Sequence, residues 1–304
     1  WSLINGLGAW QHFLAPHFHR PDAGMFINRV VLCLQDTTEL DFNGQETIGL
    51  GPLSYEAQRG MYLHPTYAIT PDREPLGVAD AWMWAREPKR ADEERPGILE
   101  SQRWIEGYQR IAEKAFDMPQ TRFVYVADRE ADISGLMQCA HQLGTPEDWL
   151  IRSKHNRCLP AGGKLWVNVL AGDPLGVIEF EMPARPGQAA RKVQQQVFAR
   201  KINLPDGEGG LLLVTCLIAK EINTPANCKP VEWRLLTNRR AESFETVIEL
   251  IDWYRCRWEI ETFFNVLKNG CRVEALQLGS IAKLELALAV YLVVSWRLAR
   301  LVKL

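Results

Sequence analysis

Three carboxylates in this chain have the surroundings that metal chemistry needs. Asp36 directly follows the apolar, β-branched run Val30–Gln35, and Asp128 directly follows a second such run, Phe123–Ala127. Both runs read as buried strands. In an open α/β sheet, sites form at the carboxyl ends of strands. If the two strands lie side by side, Asp36 and Asp128 meet at one rim, where two like charges repel. A divalent cation removes that repulsion, and a set of oxygen donors alone suits Mg²⁺ or Mn²⁺. A plainer reading fits the same residues: each Asp caps a strand or the helix that follows it.

The third carboxylate, Glu261, lies in a stretch predicted as one long helix from about Ser243 to Lys268. At about 100° per residue, Tyr254, Arg257, Glu261 and Lys268 fall within an arc of roughly 60°. Trp258 sits beside them. The apolar stripe Phe244, Ile248, Ile251 and Val266 occupies the next sector. An Arg257–Glu261 ion pair at i, i+4 on a solvated face, worth only a few tenths of a kcal/mol, accounts for two of these residues. It leaves the phenol and the second cation unexplained.

The elements that must position these groups can be read in outline. Residues 1–28 are aromatic and irregular, with a helix expected near Leu7–Leu14. Strands are expected over Thr38–Phe42, 61–70, 76–85 and Trp149–Arg152, and helices over Gly97–Phe116 and Ala131–Leu143. From 157 to 236, Gly and Pro punctuate short apolar runs (Leu165–Leu170, Val177–Met182, Val193–Ala199, Leu211–Ala219), which read as an all-β insertion. A last helix is expected from Ser280 to Lys303. The fold class is therefore α/β, a mixed sheet flanked by helices, with the β segment inserted before the Glu261 helix.

Composition constrains function only loosely. The 304 residues are 47% hydrophobic and 24% charged with net charge −2, so any nucleic-acid contact must come from local clusters. Arg152, Lys154, His155 and Arg157 form one such cluster, and Arg191 to Lys201 another. The seven cysteines show no C-x-x-C spacing and an odd count, which reads as a reducing compartment. The longest apolar stretch, Leu286–Trp296, is too short to span a bilayer. The chain begins with Trp1 and reads as a piece of something longer.

Taken together the motifs are recognisable. Tyr254-x₂-Arg257-x₃-Glu261-x₆-Lys268 resembles the Y-R-E-K motif of the insertion-sequence-four family of DDE transposases. Asp128-Arg129-Glu130-Ala131-Asp132 resembles the block around that family's second acid, and Asp36-Thr37-Thr38 the block around its first. The resemblance runs from about Val30 to the last helix. It implies a ribonuclease-H-like core made of residues 1–156 and 237–304, interrupted by the β insertion at 157–236. It also implies cut-and-paste DNA transposition through a hairpin intermediate, with Asp36, Asp128 and Glu261 binding two Mg²⁺ or Mn²⁺ ions. By the same resemblance, Tyr254, Arg257 and Lys268 grip a phosphate, Trp233 and Trp258 wall a pocket for a flipped base, and Arg152, Lys154, His155 and Arg157 lie near DNA. His64 falls within the resemblance but gains no role from it.

The partners implied are transposon-end duplex and target DNA, with a homodimer in the full-length synaptic complex and neither membrane nor nucleotide cofactor. The setting implied is the bacterial cytoplasm, at the nucleoid. The family's N-terminal helical DNA-binding region and C-terminal dimerisation region are expected to be missing. Cys256 and Glu259 replace basic or polar residues. The alternatives are a metal-dependent nuclease without strand transfer, an inactive DNA-binding derivative of the same fold, and a two-carboxylate glycosidase. The last explains neither Arg257 nor Lys268.

Overall fold

The computed structural model describes residues 28–89, 99–184 and 189–303. The helix expected near Leu7–Leu14 and much of the charged Arg86–Pro96 segment lie outside them. The chain divides into two compact units, Trp1–Val124 with Cys256–Leu304, and Tyr125–Arg255. Both are mixed α/β, with mostly antiparallel sheets and flanking helices.

The first unit is organised by β4 (Arg59–Ile69), in which every residue after the first is buried. A strand covered on both faces reads as a continuous apolar run, and MYLHPTYAI carries that signature apart from His64 and Thr66. β4 pairs antiparallel with β1 (Val30–Gln35), β2 (Thr38–Asp41), β3 (Gly51–Pro52) and β5 (Pro75–Trp84). The registers Gln35↔Thr66 and Thr38↔Leu63 are continuous, so β1 and β2 are a single run interrupted only at Asp36-Thr37. That register sets Asp36 opposite Pro65 of β4. A proline has no N–H to give the ladder, which explains a break at this point.

Helix α1 (Glu100–Asp117) lies on this sheet. Its Ile111 and Ala115 pack with Val31 and Cys33 of β1, Ala68 of β4, and Leu76 and Ala79 of β5. Its buried residues Trp104, Tyr108, Ile111 and Ala115 recur at the three- and four-residue spacing of one helix face. Strand β6 (Arg122–Ala127) straddles the two units. At its start, the Arg122 N–H donates to Arg29 O, just ahead of β1, at 2.8 Å.

In the second unit, a 3₁₀ turn at Arg129–Ala131 and helix α2 (Ser134–Gln142) follow β6. The helix expected from about Ala131 to Leu143 is present but starts later, at Ser134, because the Asp128 side chain first caps the tight turn. Strand β7 (Asp148–Arg152) comes next, then helix α3 (Leu165–Leu170) and strands β8 (Gly176–Met182), β9 (Arg191–Pro205), β10 (Leu211–Ile222) and β11 (Glu232–Thr237). The sheet order is β7-β11-β10-β9-β8.

The expectation of only strands between 157 and 236 fails at α3. Leu165 and Val169, spaced i, i+4, are both buried, and Asn156 Oδ1 accepts the Trp166 N–H at 3.0 Å, holding the first turn.

The helix expected from Ser243 to Lys268 is also corrected. It is α4 (Phe244–Arg255), a 3₁₀ turn at Cys256–Trp258, α5 (Glu259–Asn265) and a π turn at Val266–Gly270. The π turn closes with Cys271 N–H donating to Val266 O at 2.8 Å. A constant 100° step cannot hold across tighter and wider turns. Of the expected stripe only Ile251 is buried; Phe244, Ile248 and Val266 are not, and the buried side chains include Val247, Leu250, Ile260, Phe263 and Leu267 instead. Helix α6 (Ile281–Lys303) then packs across β5.

Candidate active site

Asp36 owes its placement to the gap between β1 and β2. Its Oδ1 accepts the N–H of Thr37 at 2.9 Å, and its Oδ2 takes Nη1 of Arg257 at 2.6 Å. Arg257 reaches there from the 3₁₀ turn, which is held in turn by the Cys256 thiol donating to Pro71 O at 3.5 Å. The same Nη1 lies 3.8 Å from Oε1 of Glu261, one turn further on at the start of α5. Two of the three predicted acids therefore converge on one guanidinium nitrogen. The Arg257 side chain is 10% exposed, Asp36 19% and Glu261 45%, so the acids open to solvent while the cation is seated beneath them. Trp258 is 59% exposed, with the Arg257 guanidinium 5.2 Å from its ring centre.

Lys268 does not join this cluster. From the π turn it reaches Glu274 Oε1 at 3.5 Å, and that oxygen also accepts the Asp41 N–H at 2.9 Å. Glu259, one residue past Trp258, is tied to Lys303 at 2.6 Å and to Arg73 at 3.5 Å, which pins the start of α5 to the end of α6 and to the turn between β4 and β5.

Asp128 closes β6 in the second unit. Its Oδ1 accepts the Glu130 N–H at 2.7 Å, so it does cap the turn after it, as the plainer sequence reading allowed. Three residues earlier, Tyr125 is wholly buried. Burial first, then the nearby carboxylates of Asp128 and Glu147, push its phenol well above the ordinary range and keep it neutral.

The basic segment after β7 is organised by Asp132, to which sequence reading assigned no role of its own. The carboxylate of Asp132, 1% exposed, accepts the backbone N–H groups of Lys154 at 2.6 Å and His155 at 2.9 Å. It also pairs with Arg157, whose Nη2 donates to Asp132 O at 3.1 Å. Arg157 is thus turned inward, while Arg152, Lys154 and His155 are exposed. A backbone loop fastened at both residues presents their side chains without holding them.

Trp233 of β11 stacks on Phe180 of β8, centroids 5.3 Å apart and planes 17° from parallel. The guanidinium of Arg255 lies 5.1 Å from the Phe180 ring. Tyr254, from α4, is buried at 6% exposure.

Among the described residues no three His, Cys, Asp or Glu side chains stand together as a ready metal cage. No described helix is long and apolar enough to cross a membrane. Residues 188–296 match a family model described as "Transposase DDE domain", a span that takes in Trp233, Tyr254, Arg257, Trp258, Glu261 and Lys268 and stops short of Asp36, Asp128 and the basic loop.

Proposed function

We propose that this chain is the catalytic part of a DNA transposase of the insertion-sequence-four family, resembling the transposase of transposon five. Asp36, Asp128 and Glu261 are its metal-binding acids. The observation that carries the reading is the meeting of Asp36 and Glu261 on one Arg257 nitrogen. Residues 221 apart in sequence bring two carboxylates and a cation to a strand end, Arg257 and Glu261 from inside a segment similar to a transposase domain and Asp36 from far outside it.

The donor chemistry fits a divalent ion. Both carboxylates are partly open to solvent, and the position they share already holds positive charge. When bound, a pair of Mg²⁺ or Mn²⁺ ions supplies an activated water or 3′-hydroxyl and stabilises the leaving oxygen of an in-line phosphodiester displacement. The chain's own residues do the rest. Asp36 is braced by the Thr37 N–H, and Glu261 projects from the first turn of α5. Arg257 and Tyr254 fix a phosphate without reading sequence, and Lys268 contacts phosphate from its separate place beside Glu274. Arg152, Lys154 and His155 offer further phosphate contacts, with Arg157 holding the loop that carries them.

Trp233 and Trp258 hold a base out of the duplex during hairpin formation. Stacking of this kind is worth about 1–3 kcal/mol per base. On this reading 1–156 and 237–304 form a ribonuclease-H-like core and 157–236 an insertion. The substrates are transposon-end and target DNA, and the full-length protein pairs two ends as a dimer at the bacterial nucleoid.

The test is Mg²⁺-dependent nicking of a DNA carrying candidate inverted repeats from the flanking genome. Glu261→Gln should abolish nicking and leave DNA binding largely intact. Cleavage by that variant at the wild-type rate would reject the role of Glu261.

A further inference from the structure

We propose that His64 is a positioning residue for Asp36: a buried neutral imidazole that ties together the two residues flanking the acid and so aims its carboxylate. The inference rests on the reading of Asp36 as a metal ligand.

The need for such a device follows from the strand break. Asp36-Thr37 lies between the ladder bonds of β1 and those of β2, opposite a proline. The acid therefore sits where the β4 ladder stops fixing the backbone. Side chains take over. In an extended chain Gln35 and Thr37 point to the face opposite Asp36. Both meet His64: Thr37 Oγ1 at 2.8 Å from Nδ1, and Gln35 Oε1 at 3.0 Å from Nε2. The Gln35 amide nitrogen donates to Thr66 Oγ1 at 2.7 Å, which leaves its oxygen to face the histidine. His64 then donates from Nε2 and accepts the Thr37 hydroxyl proton at Nδ1, a pattern only the neutral ring can make. Thr37, so held, gives its backbone N–H to Asp36 Oδ1.

The network is built in, not incidental. Gln35 is 0% exposed, His64 1% and Thr66 2%. An apolar side chain of similar volume would fill this core without the desolvation of three polar groups. Such groups are tolerated when fully satisfied, and they then specify one geometry. Helix α1 closes the cage. Trp104 meets the imidazole edge-on, centroids 4.6 Å apart, and Gly107 lies so close that an added Cβ would stand 2.3 Å from Gln35 Oε1. Burial and the nearby Arg103 charge lower the imidazole's pKa to about 3, which keeps it in the neutral form the clamp requires.

The experiment is titration of the protein with Mn²⁺ alone, followed by the spectrum of the free ion, with urea denaturation of each variant alongside. Thr37→Val removes one hydroxyl at a partly exposed position, which takes the proton donor from His64 Nδ1 and leaves the packing of the core in place. Loss of a group that orients a ligand typically lowers metal affinity by about 10–100-fold. Thr37→Val and His64→Phe should both fall in that range. His64→Asn, whose Oδ1 can take the Thr37 proton, should recover part of the loss. Thr37→Val is the decisive variant if His64→Phe folds poorly: it orphans His64 Nδ1 and so loses some stability, but it stays folded without urea, and its affinity should drop. Wild-type Mn²⁺ affinity in Thr37→Val overturns the clamp. Asp36→Asn separates the two ideas. If it loses Mn²⁺ while Thr37→Val keeps it, only the clamp is wrong. If Asp36→Asn itself binds as wild type does, the metal reading of Asp36 falls and the clamp with it.

Discussion

Two titratable side chains in the first unit, buried His64 and half-buried Asp80, oppose each other as pH changes, and separating them tests how the sheet under α1 is built. His64 is enclosed by Gln35, Thr37 and Thr66 and faces Arg103 and Trp104 of α1. Its pKa falls from 6.5 to about 3, through burial first and Arg103 second. Asp80, on β5, faces Arg110, Glu113 and Lys114 of α1, and its Oδ2 is buried with no hydrogen-bond partner among the described residues. Burial outweighs the attraction of Arg110 and Lys114, so its pKa rises from 3.8 to about 6.

The signs follow by linkage. A depressed histidine contributes stability that is whole above 6.5 and lost as pH falls, because the unfolded chain takes the proton first. A raised carboxyl does the reverse. Folding is penalised above about 6, and the penalty is relieved as pH falls towards 3.8. Between pH 7.5 and pH 5, His64 therefore removes about 2 kcal/mol, and Asp80 returns about 1 kcal/mol, at roughly 1.4 kcal/mol per unit. The wild type should lose only about 1 kcal/mol over that interval. Asp80→Asn should unmask the histidine: more stable than wild type at pH 7.5 by about 3 kcal/mol, with a loss near 2 kcal/mol on going to pH 5. Because the chain holds two units, amide exchange of β4 and β5 in graded urea is a better reading than a single global melt. Parallel pH profiles for wild type and Asp80→Asn would refute the account of Asp80, and a flat profile in Asp80→Asn that of His64.

Three further outcomes follow from the site. Arg257→Met leaves Asp36 and Glu261 facing each other without a cation. It should lower stability by about 2–3 kcal/mol in EDTA, and saturating Mn²⁺ should recover much of that by mass action; an equal loss with and without Mn²⁺ in urea melts would remove the shared-cation argument. Lys268→Ala should weaken DNA binding and flatten its dependence on log salt by about 0.9, the effect of one lost phosphate contact; an unchanged slope means that Lys268 only braces Glu274. Trp233→Ala should leave nicking in place and depress hairpin yield on labelled ends. Normal hairpin formation would confine Trp233 to packing against Phe180.

The strands were legible where burial and β-branching coincided. Val30–Gln35 is recovered to the residue, and Phe123–Ala127 to within one. Both acids at their ends could be named, since a strand stop is a local event. The helix around Glu261 was legible as helix but not as geometry. Arg257 and Glu261 meet because they are four apart across a short stretch. Lys268 drifts away because a π turn intervenes, and nothing in VLKNG announces one. Helix α3 was hidden because Leu-Trp-Val-Asn-Val-Leu suits a strand as well as a helix; a distant Asn156 tips the balance. His64 and Asp132 were illegible as partners for the same reason. Each acts on backbone or side chains more than twenty residues away, and only the register of β4 and the turn after β7 show which.

The placement of Arg257 bears on how such a site survives before it meets its substrate. Two carboxylates within reach of one point repel, and the strand break beneath Asp36 has little ladder energy to resist them. A guanidinium between them offsets the repulsion, with one nitrogen, Nη1, 2.6 Å from Asp36 and 3.8 Å from Glu261 while the group stays in its seat beside Trp258. It is also a monovalent, weakly hydrated cation, easily outbid for carboxylate oxygens by a small divalent ion. An acid pair organised in this way is held ready in shape while its charge stays balanced. On the proposed reading the same arginine, once released from the carboxylates, keeps a planar fork whose geometry matches a phosphate.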